Sequence, residues 1–269
     1  MKLIDMHSHW GTERGYVLRT AAELAQQKKT WNSETKYVTD EEMANYFRAS
    51  QAQVILDLGF TKFAPIQDIK PLHDYSFEMQ KKYPDAILGN WFHIDPTFHG
   101  KQEGLAELRR CIDSKAGFVG LAVNGSGSVP ASDSAYDDYY KLCIEASIPV
   151  LIFVGTTGLG AGLPGGNGIL LDSCHPRHLD MVAARNPKLR IVAARPGWPW
   201  QTETIAVLMH KRNIWYELHG WSPKYFAPDL KHDIARRLQD RIMFGGDYPL
   251  YTFERLTSEW TSVSHRTLE

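Results

Sequence analysis

Residues 149–154 read PVLIFV and residues 190–194 read RIVAA. Both runs are apolar almost throughout and rich in β-branched residues. A strand with one wet face would alternate apolar with polar, so these runs predict strands covered on both faces, as in a parallel sheet. Working outward, short β-rich runs recur at 3–6, 53–58, 87–92, 118–123, 214–218 and 241–244, and the sixth run extends over 189–194. Amphipathic stretches lie between them. Residues 40–50 open on the acidic TDEE, 134–145 follow a Ser/Asp cluster, and 228–238 place Leu230, Ile234 and Leu238 on one helix face. Eight strand–helix units in 269 residues predict one α/β domain over 1–269, a closed (β/α)8 TIM barrel. The alternative is a doubly wound open sheet, which would show a Gly-rich phosphate turn after the first strand; none is present.

Two segments interrupt the alternation. Residues 11–36 are too long for a simple strand-to-helix connection and predict an insertion after strand 1, over the barrel mouth. Residues 156–168, TTGLGAGLPGGNG, read as a flexible loop, because the Lys-Ser/Thr ending of a phosphate-binding loop is missing. At the other end, apolar periodicity weakens after Trp260, which predicts a shortened C-terminal end.

Composition narrows the function classes. Hydrophobic residues make up 43% and charged residues 23%, and 30 Lys and Arg offset 31 Asp and Glu. No basic stripe marks a nucleic-acid binder. No apolar run approaches the ~18 residues of a membrane span, and the opening MKLIDMHSHW lacks a signal-peptide core. Cys111, Cys143 and Cys174 lack paired metal-type spacing and read as free thiols of a cytoplasmic protein.

The first strand run leads into His7-Ser8-His9. Residues i and i+2 of a strand share a face, so both imidazoles can converge on one point above the barrel. Two such histidines suit Zn2+ or a similar divalent ion. FGGDYPL, residues 244–250, places Asp247 at the end of the last strand run. In a closed barrel that strand neighbours the first, so Asp247 can complete a metal set with His7 and His9 or act as a base on water. Taken singly, each feature also fits a surface histidine or a turn aspartate.

IDMHSHW, PVLIFVGTTGLGAGLPGGNG, the VAARPGWPWQ block and FGGDYPL together resemble the amidohydrolase-related branch of the amidohydrolase superfamily. That branch includes aminocarboxymuconate-semialdehyde decarboxylase, the resorcylate decarboxylases and various hydrolases. The resemblance implies a barrel with one divalent metal on a His-x-His pair, a fifth-strand His and an eighth-strand Asp, with a sixth-strand His as acid/base. Here His7, His9 and Asp247 match, but Phe153 stands at the fifth-strand position and Arg195 at the sixth. Ala122 and Asn124 stand where relatives often carry Lys and His. Phenylalanine cannot ligate a metal, and arginine is too strong a base to trade protons near neutral pH.

Three readings stay open. A metal-assisted hydrolase or decarboxylase would hold its ion on His7, His9 and Asp247, with a proton shuttle at His175, His93 or His219. A metal-free hydrolase, as among the pyrone-dicarboxylate lactonases of the superfamily, would use Asp247 on water. A catalytically silent barrel would partner an active paralogue, and an uncovered C-terminal flank would favour a homo- or hetero-dimer. Arg195 predicts a carboxylated, cyclic small-molecule substrate, because a guanidinium grips a carboxylate with two parallel hydrogen bonds. The competing reading is an internal ion pair with Asp247 or Glu217. His93, Asn124, His219 and Trp10 are further candidates for contacting the substrate, and His175, between the Gly-rich loop and the next helix, reads first as a surface cap.

Overall fold

A computed structural model describes residues 3–16, 20–31 and 36–267. Its strands are β1 (Leu3–His9), β2 (Ala52–Asp57), β3 (Ile87–Phe92), β4 (Phe118–Val123), β5 (Val150–Phe153), β6 (Ile191–Ala194), β7 (Ile214–Glu217) and β8 (Ile242–Met243). They form one sheet in sequence order, every neighbouring pair parallel. This is a (β/α)8 barrel. The ladder ends at β8, and the seam to β1 is closed by the segment that follows. Met6 N–H donates to Phe244 O (2.9 Å), Asp247 N–H to His7 O (2.9 Å) and His9 N–H to Tyr248 O (2.6 Å).

The described helices are α1 (Ala21–Trp31), α2 (Asp40–Ala49), α3 (Ile66–Lys82), α4 (Pro96–His99), α5 (Lys101–Asp113), α6 (Asp137–Ala146), α7 (Pro176–Arg185), α8 (Gln201–His210), α9 (Pro228–Ile234) and α10 (Phe253–Thr267). The acidic start read in TDEE is a capping box at α2: Thr39 Oγ1 accepts from Glu42 N–H, and Glu42 returns the bond to Thr39 N–H. Helix α10 buries Phe253, Leu256 and Val263, so the flank beside β8 is covered by the chain itself.

Apolar residues divide by strand phase. Met6, Ile55, Trp91, Leu151, Val192 and Met243 fill the barrel interior, while Val54, Leu121, Ile152, Ile191 and Tyr216 pack outward against helices. The β1 ladder slips between Asp5 and Ser8. Such a bulge changes which face successive side chains take. Met6 and His7 thus both point inward, while Asp5 and Ser8 meet on the outer side with Ser8 Oγ donating to Asp5 Oδ2 (2.5 Å).

The insertion after β1 reaches across the molecule. Gln26 Nε2 and Thr30 Oγ1 of α1 each lie 3.5 Å from Ala161 O in the loop after β5. Strands 1 and 5 are opposite in an eight-strand ring, so this contact spans the mouth. Residues 17–19 and 32–35 of the insertion lie outside the described residues.

Candidate functional site

On β2, β3 and β7 the inward-facing register continues into a polar layer at the C-terminal end of the barrel, whereas β5 and β6 end on apolar Phe153 and Ala194. Ile55 is followed two residues on by Asp57, Trp91 by His93, and Glu217 by His219. With His7 and His9 from β1 and Asp247 from the loop after β8, these side chains form one buried cluster. His7, His93 and His219 are 2% exposed or less, Asp57 is 2% and Glu217 is 0% exposed.

The distances define its organisation. His9 Nε2 lies 3.2 Å from Asp247 Oδ1. Asp57 Oδ2 lies 3.5 Å from His7 Nε2, and Asp57 Oδ1 lies 3.7 Å from His9 Nδ1. His93 Nε2 bridges both Asp57 oxygens at 2.9 and 3.0 Å. His219 Nδ1 bonds Glu217 Oε2 at 2.5 Å, and its ring stacks on His7 with centroids 3.6 Å apart. Phe153, where the family resemblance implies a ligand, presents its ring to His7, His93 and His219 at 5.7–5.8 Å.

Burial and the neighbouring positive groups hold the His7 imidazole well below its usual range. His7 is therefore a neutral, fully buried ring, yet neither ring nitrogen has a hydrogen-bond partner. Buried polar atoms are rarely left so. Burial favours the acid form of Asp57, but the His93 and His9 charges overcome it and keep the carboxyl below the ordinary range. Burial raises Glu217 above its ordinary value, with His219 opposing. Ligand atoms of His7, His9 and Asp247 lie within 4.8 Å of one another. A neutral imidazole with orphaned donor atoms, beside a second histidine and a carboxylate side chain, fits a divalent cation.

Arg195 follows β6 at φ 73°, a conformation that costs an ordinary residue about 1–2 kcal/mol. Its Nη1 donates to Thr156 O (2.9 Å) and its guanidinium lies 4.8 Å from the centroid of Phe153. Among the described residues no carboxylate pairs with it, so neither Asp247 nor Glu217 supplies the internal ion pair considered from sequence. Asp247 also has positive φ, 52°, and lies beyond β8 rather than at the strand end as expected. The two preceding glycines permit this. A Cβ at Gly245 would overlap Glu217 Oε1, and one at Gly246 would stand 2.7 Å from Asp5 Oδ2.

Three sequence candidates are held by contacts of their own. His175 caps α7, with Nδ1 accepting from Arg177 N–H (3.1 Å) and Nε2 3.2 Å from Glu203. Cap geometry folds its ring back onto the helix, so it is not brought to the cluster. Trp10 is fully buried against Tyr75 (centroids 4.8 Å), because one residue past the inward-facing His9 the chain points into the outer packing layer. Asn124 uses Oδ1 on Ser126 N–H (3.0 Å), and its carbonyl accepts from buried Lys62 (2.5 Å). Asp57 was missed by sequence reading, and Glu217 was read as an ion-pair partner for Arg195 rather than as the partner of His219; the available signal was an acid in the inward register closing each apolar run.

Comparison with known proteins agrees with this fold. The amidohydrolase family profile matches residues 4–268. No curated protein matches the chain. Among solved structures, an uncharacterized TIM-barrel protein from Bordetella bronchiseptica is 18% identical with a TM-score of 0.68, covering 100% of this chain and 98% of its own. A dihydroxybenzoic acid decarboxylase from a Polaromonas species, solved with manganese and the inhibitor 2-nitroresorcinol, is 14% identical (TM-score 0.68, covering 98% and 92%). A probable 2-pyrone-4,6-dicarboxylic acid hydrolase from Acinetobacter baumannii, with citric acid bound, is 13% identical (TM-score 0.62, covering 98% and 93%). At these identities the likeness speaks for the fold, while the profile match spans nearly the whole sequence: the chain belongs to the amidohydrolase family.

Proposed function

We propose that this chain is a one-domain, metal-assisted enzyme for decarboxylation or hydrolysis of a small, cyclic, carboxylated substrate. The observation that carries the reading is the buried His7 ring, both nitrogens unpartnered, beside His9 and Asp247 and across from an unpaired Arg195. His7, His9 and Asp247 would hold the ion. Bound there, a divalent cation supplies a Lewis acid for charge developing on a carbonyl or phenolate oxygen. Zn2+ suits these donors, and the Polaromonas neighbour carries manganese.

The chain's own residues do the rest. Arg195 grips the substrate carboxylate and turns the reacting carbon toward the cluster. Of the three histidines considered as proton shuttle, His219 takes the role: Glu217 fixes Nδ1, leaving Nε2 to give or take a proton at substrate. In decarboxylation the C–C bond breaks toward carbon dioxide, its electron pair stays on the ring carbon, and that carbon takes the proton. Burial of the cluster excludes water.

Metal analysis of purified protein, with Asp247→Asn as control, tests the reading. One equivalent in the wild type, lost in the variant, supports it; a folded wild type without metal after loading sinks it. A panel of hydroxybenzoates and cyclic lactone acids, read by carbon dioxide release and by acid release, separates the two reactions. A metal-free lactonase is the second reading, favoured by Phe153 in the ligand position. A silent paralogue is disfavoured, since an enclosed cluster of ionisable groups is costly to keep without a task. No described helix is long and apolar enough to cross a membrane. Three buried free cysteines support a cytoplasmic setting. Exposed Leu170, Trp198 and Tyr225 on loops at the mouth support a dimer with a copy or a paralogue, which light scattering reads.

A further inference from the structure

We propose that Asn124 is a specificity-determining residue: its Nδ2 donates to a carbonyl oxygen that the substrate carries across its ring from the carboxylate held by Arg195. This rests on the proposed function above and adds a second polar group by which the substrate is chosen. Ala122 belongs to the cluster that fills the barrel interior, and Val123 packs outward. Asn124 follows in the inward phase, so its side chain, 8% exposed, joins the mouth from the β4 side. Chemistry fixes the orientation of its amide. Ser126 N–H donates to Oδ1 (3.0 Å), a bond that only the amide oxygen can accept, and the Cys174 thiol lies 3.7 Å from the same atom. The contacts that hold Asn124 thus use its oxygen, and among the described residues none accepts from Nδ2.

The backbone beneath this amide is braced. Buried Lys62 donates to Asn124 O (2.5 Å) and to Ser126 O (2.6 Å), and a Cβ on Gly125 would stand 2.4 Å from Ser173 O. A donor held so firmly loses little freedom when a ligand arrives. Strand β5 lies between β4 and β6 and sets Phe153 between the two polar side chains. Strands two apart in a sheet stand about 10 Å from each other. From the β6 side the Arg195 guanidinium reaches to 4.8 Å from the Phe153 centroid. A small ring bound beside Phe153 therefore meets a cation at one edge and a neutral donor at the other. A carbonyl suits that donor because it only accepts, whereas a hydroxyl would bring a proton needing a further acceptor. The arrangement selects oxo or lactone acids over plain aromatic acids.

Calorimetric binding to the intact protein is the test, with meta- and para-acetylbenzoate as probes and the isopropylbenzoates of the same shape as controls. One acetyl isomer is expected to bind about tenfold more tightly than its isopropyl counterpart, the effect of one net hydrogen bond. Asn124→Asp keeps the acceptor for Ser126 N–H and loses the donor. In that variant the acetyl-to-isopropyl ratio is expected to fall to about one, a readout in which the effect of the added charge on both acids cancels. Wild-type crystals with the preferred probe are expected to place its carbonyl oxygen about 3 Å from Asn124 Nδ2, which decides the matter even if the variant fails to fold. Equal binding of acetyl and isopropyl acids, a preference that survives in folded Asn124→Asp, or a carbonyl seated away from Nδ2 overturns this inference and leaves the proposed function standing. A wild type that binds none of these acids overturns it together with the carboxylate-gripping role of Arg195.

Discussion

On the proposed function, substrate choice turns on Arg195. Its guanidinium is anchored at one edge by Thr156 O and on its face by Phe153. Burial lowers its affinity for the proton but leaves it charged. A part-buried cation without a carboxylate partner among the described residues gains from an incoming anion. Arg195→Lys keeps the charge and loses the fork, so KM for the carboxylated substrate should rise roughly 10–100-fold with metal content unchanged. An unchanged KM would remove Arg195 from the binding site. Gly245 acts at the same scale by omission. Gly245→Ala should push Glu217 off His219 and lower kcat by about 100-fold or more, since the acid/base ring loses its orienting partner. A variant with wild-type kcat would show that the pair has no part in proton transfer.

Between elements, α3 and α5 are joined by a buried polar clamp. His73 Nδ1 meets Glu107 Oε1 at 2.6 Å, Arg110 contacts both Glu107 oxygens, and Cys111 Sγ lies 3.5 Å from His73. The residues have metal-ligand chemistry, but Arg110 already neutralises the carboxylate, so the group reads as packing. Burial opposes ionisation of Glu107, yet His73 and Arg110 prevail and draw the carboxyl down to about 2. A depressed carboxyl contributes stability that is present above its unfolded value of 4.5 and is lost as pH falls through about 2. Glu107→Gln should therefore cost about 2 kcal/mol at pH 7, and the gap to wild type should close as pH falls below about 4. Urea unfolding at several pH values measures it; a pH-independent gap would contradict the assignment. Over the mouth, a Cβ at Gly162 would stand 2.8 Å from Thr30 Oγ1. Gly162→Ala should speed amide exchange in 21–31 without lowering the melting temperature by more than about 2 °C, and unaltered exchange would mean that α1 does not rest on this loop.

For the whole molecule the decisive event is closure of the barrel at its β8–β1 seam. Asp5 ties it: Oδ1 accepts from Gly246 N–H (2.8 Å) and His7 N–H (3.0 Å), and Oδ2 from Ser8 Oγ, which itself accepts from Tyr248 N–H (3.0 Å). Burial pushes the Asp5 carboxyl up to about 7. With the folded value raised above 3.8, its contribution is full below that value and is lost as pH rises through about 7. Relative to Asp5→Asn, the wild type should lose on the order of 4 kcal/mol across that window. Parallel curves for the two proteins would show that Asp5 does not take up a proton on folding.

Much of this was legible in the chain. Apolar runs such as PVLIFV need only short-range alternation to be read as buried strands, and repeated eight times they leave few architectures besides a barrel. His7 and His9 share a strand face whatever surrounds them. Roles that depend on phase or partners were beyond that reach. Asp57 and Glu217 are ordinary acids until barrel curvature aims their registers at the histidines, and Trp10 joins the core because the inward register stops at His9. His175 is turned away by the helix it caps. Local pattern determined strands and order, since both follow from neighbours in sequence; burial and charge at the mouth were decided in three dimensions, where residues remote in sequence set each other's solvation and protonation.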